Sequence, residues 1–185
     1  MWNFFSEATV MGMNSIINKS NLIKKINIRR EVIVISACIN ALFGFLLNLL
    51  VFFILLIINN KLSIYSTYLL IGALLIFILS VGAALFLSAF YSKYRDIGSL
   101  WEALLLLLFW ISPIVYSANL VPEGYLKFYL LNPLARIIEL TRNGVIYFKN
   151  VEANFLLVSF LLSISVLLVG YYAFKLRSPY FAEEL

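Results

Sequence analysis

Long apolar runs separated by short polar breaks set the pattern of this chain. Val32 to Ile58 is hydrophobic almost without interruption. A bilayer core takes about 20 residues of helix, so this run predicts a tilted membrane span. Asn59, Asn60, Lys61 and Ser63 end it as a polar turn. Tyr65 to Tyr91 predicts a second span, and YSKYRDIG (Tyr91–Gly98) a charged connector. Leu100 to Tyr116 predicts a third, interrupted by Pro113. Ser117 to Asn150 is mixed and punctuated by Pro122, Gly124, Pro133 and Gly144. Phe155 to Phe174 predicts the last span, ahead of the polar tail KLRSPYFAEEL. Met1 to Phe5 reads as the middle or end of a further hydrophobic helix, with no positive n-region or cleavage site of a signal peptide.

Composition sharpens this into a class. Of 185 residues, 63% are hydrophobic and 12% charged, where a soluble domain has about 45–50% and about 25%. The expectation is an all-α integral membrane protein with about four full spans and a partial N-terminal one.

Charge supplies the orientation. Asn18 to Glu31, NKSNLIKKINIRRE, sets Lys19, Lys24, Lys25, Arg29 and Arg30 against one acid, Glu31. Short loops flanking spans hold their Lys/Arg excess in the cytoplasm. With this segment inside, Lys93, Arg95, Lys175 and Arg177 also fall inside, giving nine cations against five outside. The five outside are Lys61, Lys127, Arg136, Arg142 and Lys149, mostly in one amphipathic stretch that suggests a folded outer element. Cations that flank spans do not make one polar face, which argues against a nucleic-acid partner. The chain has no histidine and one cysteine, Cys38, inside an apolar run. That removes internal disulfides and most zinc and haem chemistry, and Cys38 reads as a small buried hydrophobe.

Within the spans, Ser36, Asn40, Gly44 and Asn48 recur every fourth residue and form one helix stripe. Such a stripe serves either helix packing or a polar path. Ser80, Ala84 and Ser88 form a small-residue ladder that reads as packing. Asp96 precedes the third apolar helix and is placed to cap it through its carboxylate. Glu102 lies one turn inside that helix. No ionisable residue is expected at mid-membrane, which argues against an ion-driven carrier. The outer stretch Ile114 to Tyr147 is aromatic and amphipathic and predicts short helices dipping into the outer leaflet. Its aromatics serve either as interfacial anchors or as stacking faces for sugars. Phosphate-binding, metalloprotease and nucleophile-elbow motifs are absent, so no catalytic, cofactor or metal residue is expected.

Several short motifs in order resemble the permease subunit of ABC-2 type transporters, in the branch exporting polysaccharides, O-antigen or teichoic acid. They are WNFF at Trp2–Phe5, NLIKK at Asn21–Lys25, RRE at Arg29–Glu31, YRDI at Tyr94–Ile97, SPIVY at Ser112–Tyr116, VPEGY at Val121–Tyr125, LNPLARIIELTR at Leu131–Arg142 and the closing FAEEL. The resemblance implies one permease domain over residues 1–185, covering about the C-terminal two-thirds of a family member. The usual N-terminal amphipathic helix and first span would precede it, with Met1 falling where the second span ends. It also implies a bacterial cytoplasmic-membrane, multi-pass location and a homodimer above two copies of a separate ABC ATPase that holds ATP and Mg. Asn18 to Arg30 would be a cytoplasmic coupling helix, with Asn21, Leu22, Lys24, Lys25, Arg29, Arg30 and Glu31 as its docking residues. Tyr94, Arg95 and Asp96 would line the way in from the cytoplasm. Asn40, Asn48, Tyr116, Tyr125, Phe128 and Tyr129 would face the channel or its outer gate, formed by re-entrant helices. The cargo would be a lipid-linked glycan whose pyrophosphate meets Lys24, Lys25, Arg29, Arg30 and Arg95, the first four of which equally suit the ATPase or anionic membrane lipids. Where the family commonly has Pro before the Arg–Glu pair, this chain has Arg29, a less rigid turn. Competing readings are an ABC-2 exporter of a drug or small lipid, a non-functional fragment, and a membrane enzyme acting on polyprenyl phosphates, which lacks a catalytic cluster here.

Overall fold

The computed structural model describes residues 1–25, 29–116, 122, 124–125 and 129–181, with backbone alone at Lys24 and Lys25. Among these residues the structure is all helical, with no strand. Seven α-helices follow in order: α1 (Trp2–Asn18), α2 (Ser20–Lys25), α3 (Arg30–Ile58), α4 (Thr67–Tyr91), α5 (Ile97–Ile111), α6 (Pro133–Val145) and α7 (Ala153–Arg177). Short 3-10 turns at Ile64–Ser66 and Ser178–Tyr180 extend α4 backwards and α7 forwards.

Among the described residues three helical stretches are long and apolar enough to cross a membrane: Arg30–Ile58, Ile64–Tyr91 and Ala153–Tyr180. They match three of the runs expected from the sequence. The third expected run becomes α5, which has 15 residues and rises about 22 Å, short of a core about 30 Å thick. It ends at Ile111 because Ser112 is extended, with ψ 150°, as the residue before a proline prefers to be. Pro113 therefore ends the helix instead of kinking it.

The turn after α3 shows how a polar break stops an apolar helix. Asn60 takes a left-handed φ of 54°, which Asn tolerates better than most residues. The Lys61 amide then reaches back to the Leu56 carbonyl at 2.9 Å, and the Asn60 amide to Ile57 at 3.0 Å. These bonds satisfy carbonyls that the helix end leaves open.

α4 is the hub, packing against α7, α1, α6 and α3. The expected small-residue ladder lies in that packing: Ser80, Ala84 and Ser88 are fully buried. Each serine turns its hydroxyl back onto its own helix, Ser80 to the Ile76 carbonyl at 2.7 Å and Ser88 to Leu85 at 3.0 Å. The ladder thus offers neighbours a flat, satisfied surface. α7 crosses α4 where Gly82 and Gly170 meet. Cys38 is fully buried, its thiol donating to the Ala8 carbonyl at 3.7 Å.

Two expectations are corrected here. No single helix runs from Asn18 to Arg30. Asn18 closes α1, α2 has six residues, and Arg30 opens α3. Lys19, with φ −108° and ψ 21°, breaks the path between α1 and α2. Asp96 does stand at the N-cap of α5, yet its side chain makes no capping bond. Its φ −66° and ψ −19° are helical, and a carboxylate turns onto the following amides from extended backbone instead.

Candidate functional site

At the cytoplasmic end by the charge pattern, α2 presents Asn21 and Leu22 as exposed residues. Arg29 is exposed and extended before α3. Glu31 lies in the first turn of α3, where a negative charge complements the helix dipole. The Arg30 guanidinium stands 5.9 Å over the ring of Phe181, itself fully buried and edge-on to Phe174 at 5.3 Å. The start of α3 is therefore fastened to the segment that follows α7. Lys24 and Lys25 close α2, and their side chains lie outside the described residues.

The turn between α4 and α5 carries Tyr94, Arg95 and Asp96, all exposed. Lys93 stands 5.4 Å over Tyr94 and Arg95 5.7 Å over Tyr91. Arg177 does the same over Phe90 at 5.6 Å. Each is a cation over an aromatic face, the arrangement of a membrane interface where one side is wet.

A second polar site lies around α6, on the side the charge pattern assigns to the exterior. α6 begins with Asn132 as N-cap, whose side chain accepts from the Leu134 amide at 3.0 Å, followed by Pro133 at the first turn. One face of α6, with Leu134, Ile137, Leu140 and Val145, is buried. Arg136 anchors the other side to α7: its Nε donates to Ser159 Oγ at 3.2 Å, and its guanidinium lies 4.1 Å over Phe155.

Further along α6, Arg142 reaches into the turn that follows α5. Its Nη1 donates to the Tyr116 carbonyl at 2.6 Å and its Nη2 to the Pro113 carbonyl at 2.7 Å. Glu139 is an ion-pair neighbour at 3.7 Å, too far for a hydrogen bond. Glu139 is buried, and one of its oxygens has no hydrogen-bond partner among the described residues. Burial raises its pKa above the ordinary 4.5, and the Arg142 charge tempers the rise. Tyr116 and Tyr129, both expected at the outer gate, come together here with ring centroids 6.4 Å apart. The Tyr116 hydroxyl donates to the Ile111 carbonyl at 2.9 Å. The Tyr129 hydroxyl is buried, and burial, then the neighbouring Tyr116 hydroxyl, push its pKa up. Tyr125 is well exposed, and Phe128 lies outside the described residues.

Asn40 and Asn48 do not join this cluster. They lie with Ser36 and Gly44 on an exposed side of α3, where Gly44 and Asn48 border a groove shared with Asn3 and Glu7 of α1. Glu102 is exposed on α5, while its neighbour Trp101 donates from Nε1 to Thr9 Oγ1 at 3.1 Å.

Three residues escaped the sequence reading. Arg142 and Glu139 sit three apart inside LNPLARIIELTR, a spacing that pairs charges on a helix, but which of the two meets the turn after α5 depends on tertiary packing. Glu7 was missed because α1 is short and not all apolar. Its neighbour Phe4 stacks on Phe45 at 4.8 Å, near the midpoint of α3.

Residues 1–146 match the ABC-2 type transporter family. The chain is similar to an "O-antigen export system permease protein RfbA" of Klebsiella pneumoniae, at 26% identity over 190 residues, covering 100% of this chain and 71% of that protein. A second Klebsiella pneumoniae protein of that description is 26% identical over 188 residues with the same coverage.

Proposed function

The chain belongs to the ABC-2 type transporter family, and on that footing we propose that it is the membrane-spanning subunit of an exporter for a lipid-linked polysaccharide. As a permease of this family it is a multi-pass bacterial inner-membrane protein and a transport subunit without chemistry of its own. The family implies an ABC ATPase as its partner. The observation that carries the cargo is the alignment over the whole chain with two O-antigen export permeases.

In this reading residues 1–185 form one permease domain that pairs with a second copy. α5 and the turn after it together count as the fourth crossing. The α2 segment, with Asn21, Leu22, Lys24, Lys25, Arg29, Arg30 and Glu31, docks on the ATPase. Arg30 on Phe181 couples that docking to α3 and α7, so a push on the segment tilts two spans as one body. Tyr94, Arg95 and Asp96 meet the anionic head of the cargo at the cytoplasmic surface. At the far side, Tyr116, Tyr125, Phe128 and Tyr129 border the exit. Arg142 fixes the gate turn on α6, and the aromatic faces suit sugar rings.

The test is co-purification of the chain with its neighbouring ATPase from membranes. Lys24→Glu with Lys25→Glu is expected to reduce the retained ATPase at least about tenfold with membrane insertion unchanged. Equal retention by the variant removes the coupling role. Cargo is tested separately, by restoring surface O-antigen to cells lacking their own permease. Failure there, with the ATPase still bound, leaves the family and overturns the polysaccharide.

A further inference from the structure

We propose that two apolar grooves flanking Phe90, at the cytoplasmic end of α4, together hold one anionic two-chain phospholipid with its phosphate at Arg177. The inference rests on the membrane reading and not on the nature of the cargo.

Phe90 lies in the last turn of α4 and borders both grooves. On one side the groove runs along α7, walled by Leu168, Tyr172, Leu176 and Arg177, with a volume of about 470 Å³. On the other it runs along α5, walled by Leu100, Trp101 and Leu104, with a volume of about 290 Å³. Phe86, one helical turn before Phe90, borders this second groove as well. The two rings lie 5.1 Å apart and form one aromatic ridge between the grooves. Leu168, Tyr172, Leu176, Leu100 and Leu104 are all exposed, so in a membrane both grooves open to acyl chains.

Charge is confined to one end. Arg177 is the only charged residue lining the first groove, and the second is lined by none. The Arg177 guanidinium stands 5.6 Å from the centre of the Phe90 ring, a cation on an aromatic face that keeps it at the head of the ridge. Lys93, Arg95 and Lys175 are exposed at the same end. Within 90–98 and 172–181 these four cations meet one acid, Asp96. From Leu168 to Arg177, α7 rises about 14 Å, close to half of a hydrocarbon core about 30 Å thick. The groove therefore runs through one leaflet, from a cationic rim to an apolar floor. Basic pockets between spans on the cytoplasmic side suit anionic headgroups, and a planar guanidinium matches the oxygens of a phosphate.

The shape selects the occupant. Two grooves that converge on one cation suit two chains joined at one head, whereas a polyprenyl lipid has a single chain and fills one groove. A zwitterionic phospholipid brings no net charge to the cationic rim. A second copy of the chain fits poorly: a twofold axis along the membrane normal sets each level against itself. Covering this face in that way would bring Lys175 and Arg177 up against their own counterparts.

The experiment is fluorescence quenching by brominated lipids. The full chain carries Trp2→Phe and Trp110→Phe, which leaves Trp101, in the wall of the second groove, as the sole tryptophan. It is reconstituted in phosphatidylcholine vesicles containing either acyl-brominated phosphatidylglycerol or acyl-brominated phosphatidylcholine at the same mole fraction. Phosphatidylglycerol is expected to quench Trp101 more strongly. Arg177→Gln should lower that preference about fivefold, the share of one cation near an anionic surface, while quenching by phosphatidylcholine stays as it was, the sign of an intact fold. Arg177→Lys should keep most of the preference. Unbrominated phosphatidylglycerol should relieve the excess quenching, and polyprenyl phosphate at the same mole fraction should not. Equal quenching by the two lipids, a preference unchanged in Arg177→Gln, relief by polyprenyl phosphate, or no quenching by either lipid, as when a second copy covers the face, each overturns the proposal. The comparison of the two lipids in the parent chain stands without any Arg177 variant, and ATPase co-purification reports on the transporter reading independently.

Discussion

Gly170 faces Gly82 so closely that a Cβ on Gly170 would strike the Gly82 carbonyl. On the other side, a Cβ at Gly82 would stand 2.6 Å from the Leu167 amide nitrogen. The obstacle is backbone in both cases, which cannot rotate away as a side chain can. Gly170→Ala therefore has to push α4 and α7 apart, and the cost is expected at the upper end of the roughly 1–3 kcal/mol typical of overpacking. Thermal unfolding of the detergent-solubilised protein checks it. A melting temperature equal to that of the wild type contradicts the close crossing. Gly44→Ala is the natural contrast, since it meets open space and should gain up to about 1 kcal/mol from helix propensity in the isolated chain.

Removing Arg142 strips two carbonyls of their charged donor and Glu139 of its countercharge. Arg142→Ala is expected to destabilise by about 3 kcal/mol, within the range for breaking a buried charged network. Arg142→Lys should recover little, because an ammonium cannot span the Tyr116 and Pro113 carbonyls with a planar fork. Protease sensitivity of the 112–116 turn is a local readout. A turn no more sensitive in the Ala variant would mean the arginine does not hold it.

Glu139 makes the outer site pH-dependent. Its folded pKa is raised above 4.5, chiefly by burial. Its contribution is complete below pH 4.5 and declines as pH rises through the raised value. The protein should accordingly melt higher in mild acid than at neutral pH, and Glu139→Gln should flatten that slope. Melting curves across the acid-to-neutral range decide it. A slope unchanged in the Gln variant assigns the dependence elsewhere.

Trp101 ties α5 to α1 through a single side-chain bond, Nε1 to Thr9 Oγ1 at 3.1 Å. Trp101→Phe keeps most of the apolar contact and loses the donor, so a cost of about 1 kcal/mol is expected. Thr9→Val should cost less, because the Thr9 hydroxyl also bonds the Phe5 carbonyl at 2.8 Å within its own helix. If the double variant costs the sum of the two singles, the residues do not interact.

The spans were legible because hydrophobic length translates directly into helix length: α3, α4 and α7 fall where the apolar runs fall. The small-residue ladder at Ser80, Ala84 and Ser88 was legible because side-chain size alone limits how close helices come. The break at Lys19 was not, since a short basic stretch carries no periodicity strong enough to separate one helix from two. Nor was the missing cap at Asp96, where residue type suited a role that the backbone angles denied. The site around Arg142 needed tertiary information: its partners are main-chain carbonyls of a turn more than twenty residues away, and carbonyls leave no trace in sequence. Glu7 lay in a stretch too short to read as a span, and its place beside α3 emerged only from the stacking of Phe4 on Phe45.

Because Arg142 grips the turn through main-chain oxygens, the fastening is blind to what the turn's side chains are. Ile114 and Val115 can be exchanged, and the stretch that follows reshaped, with the latch itself intact. Fastening and side-chain identity are thereby assigned to different atoms, and the turn can change its surface chemistry without giving up the bonds that hold it to α6.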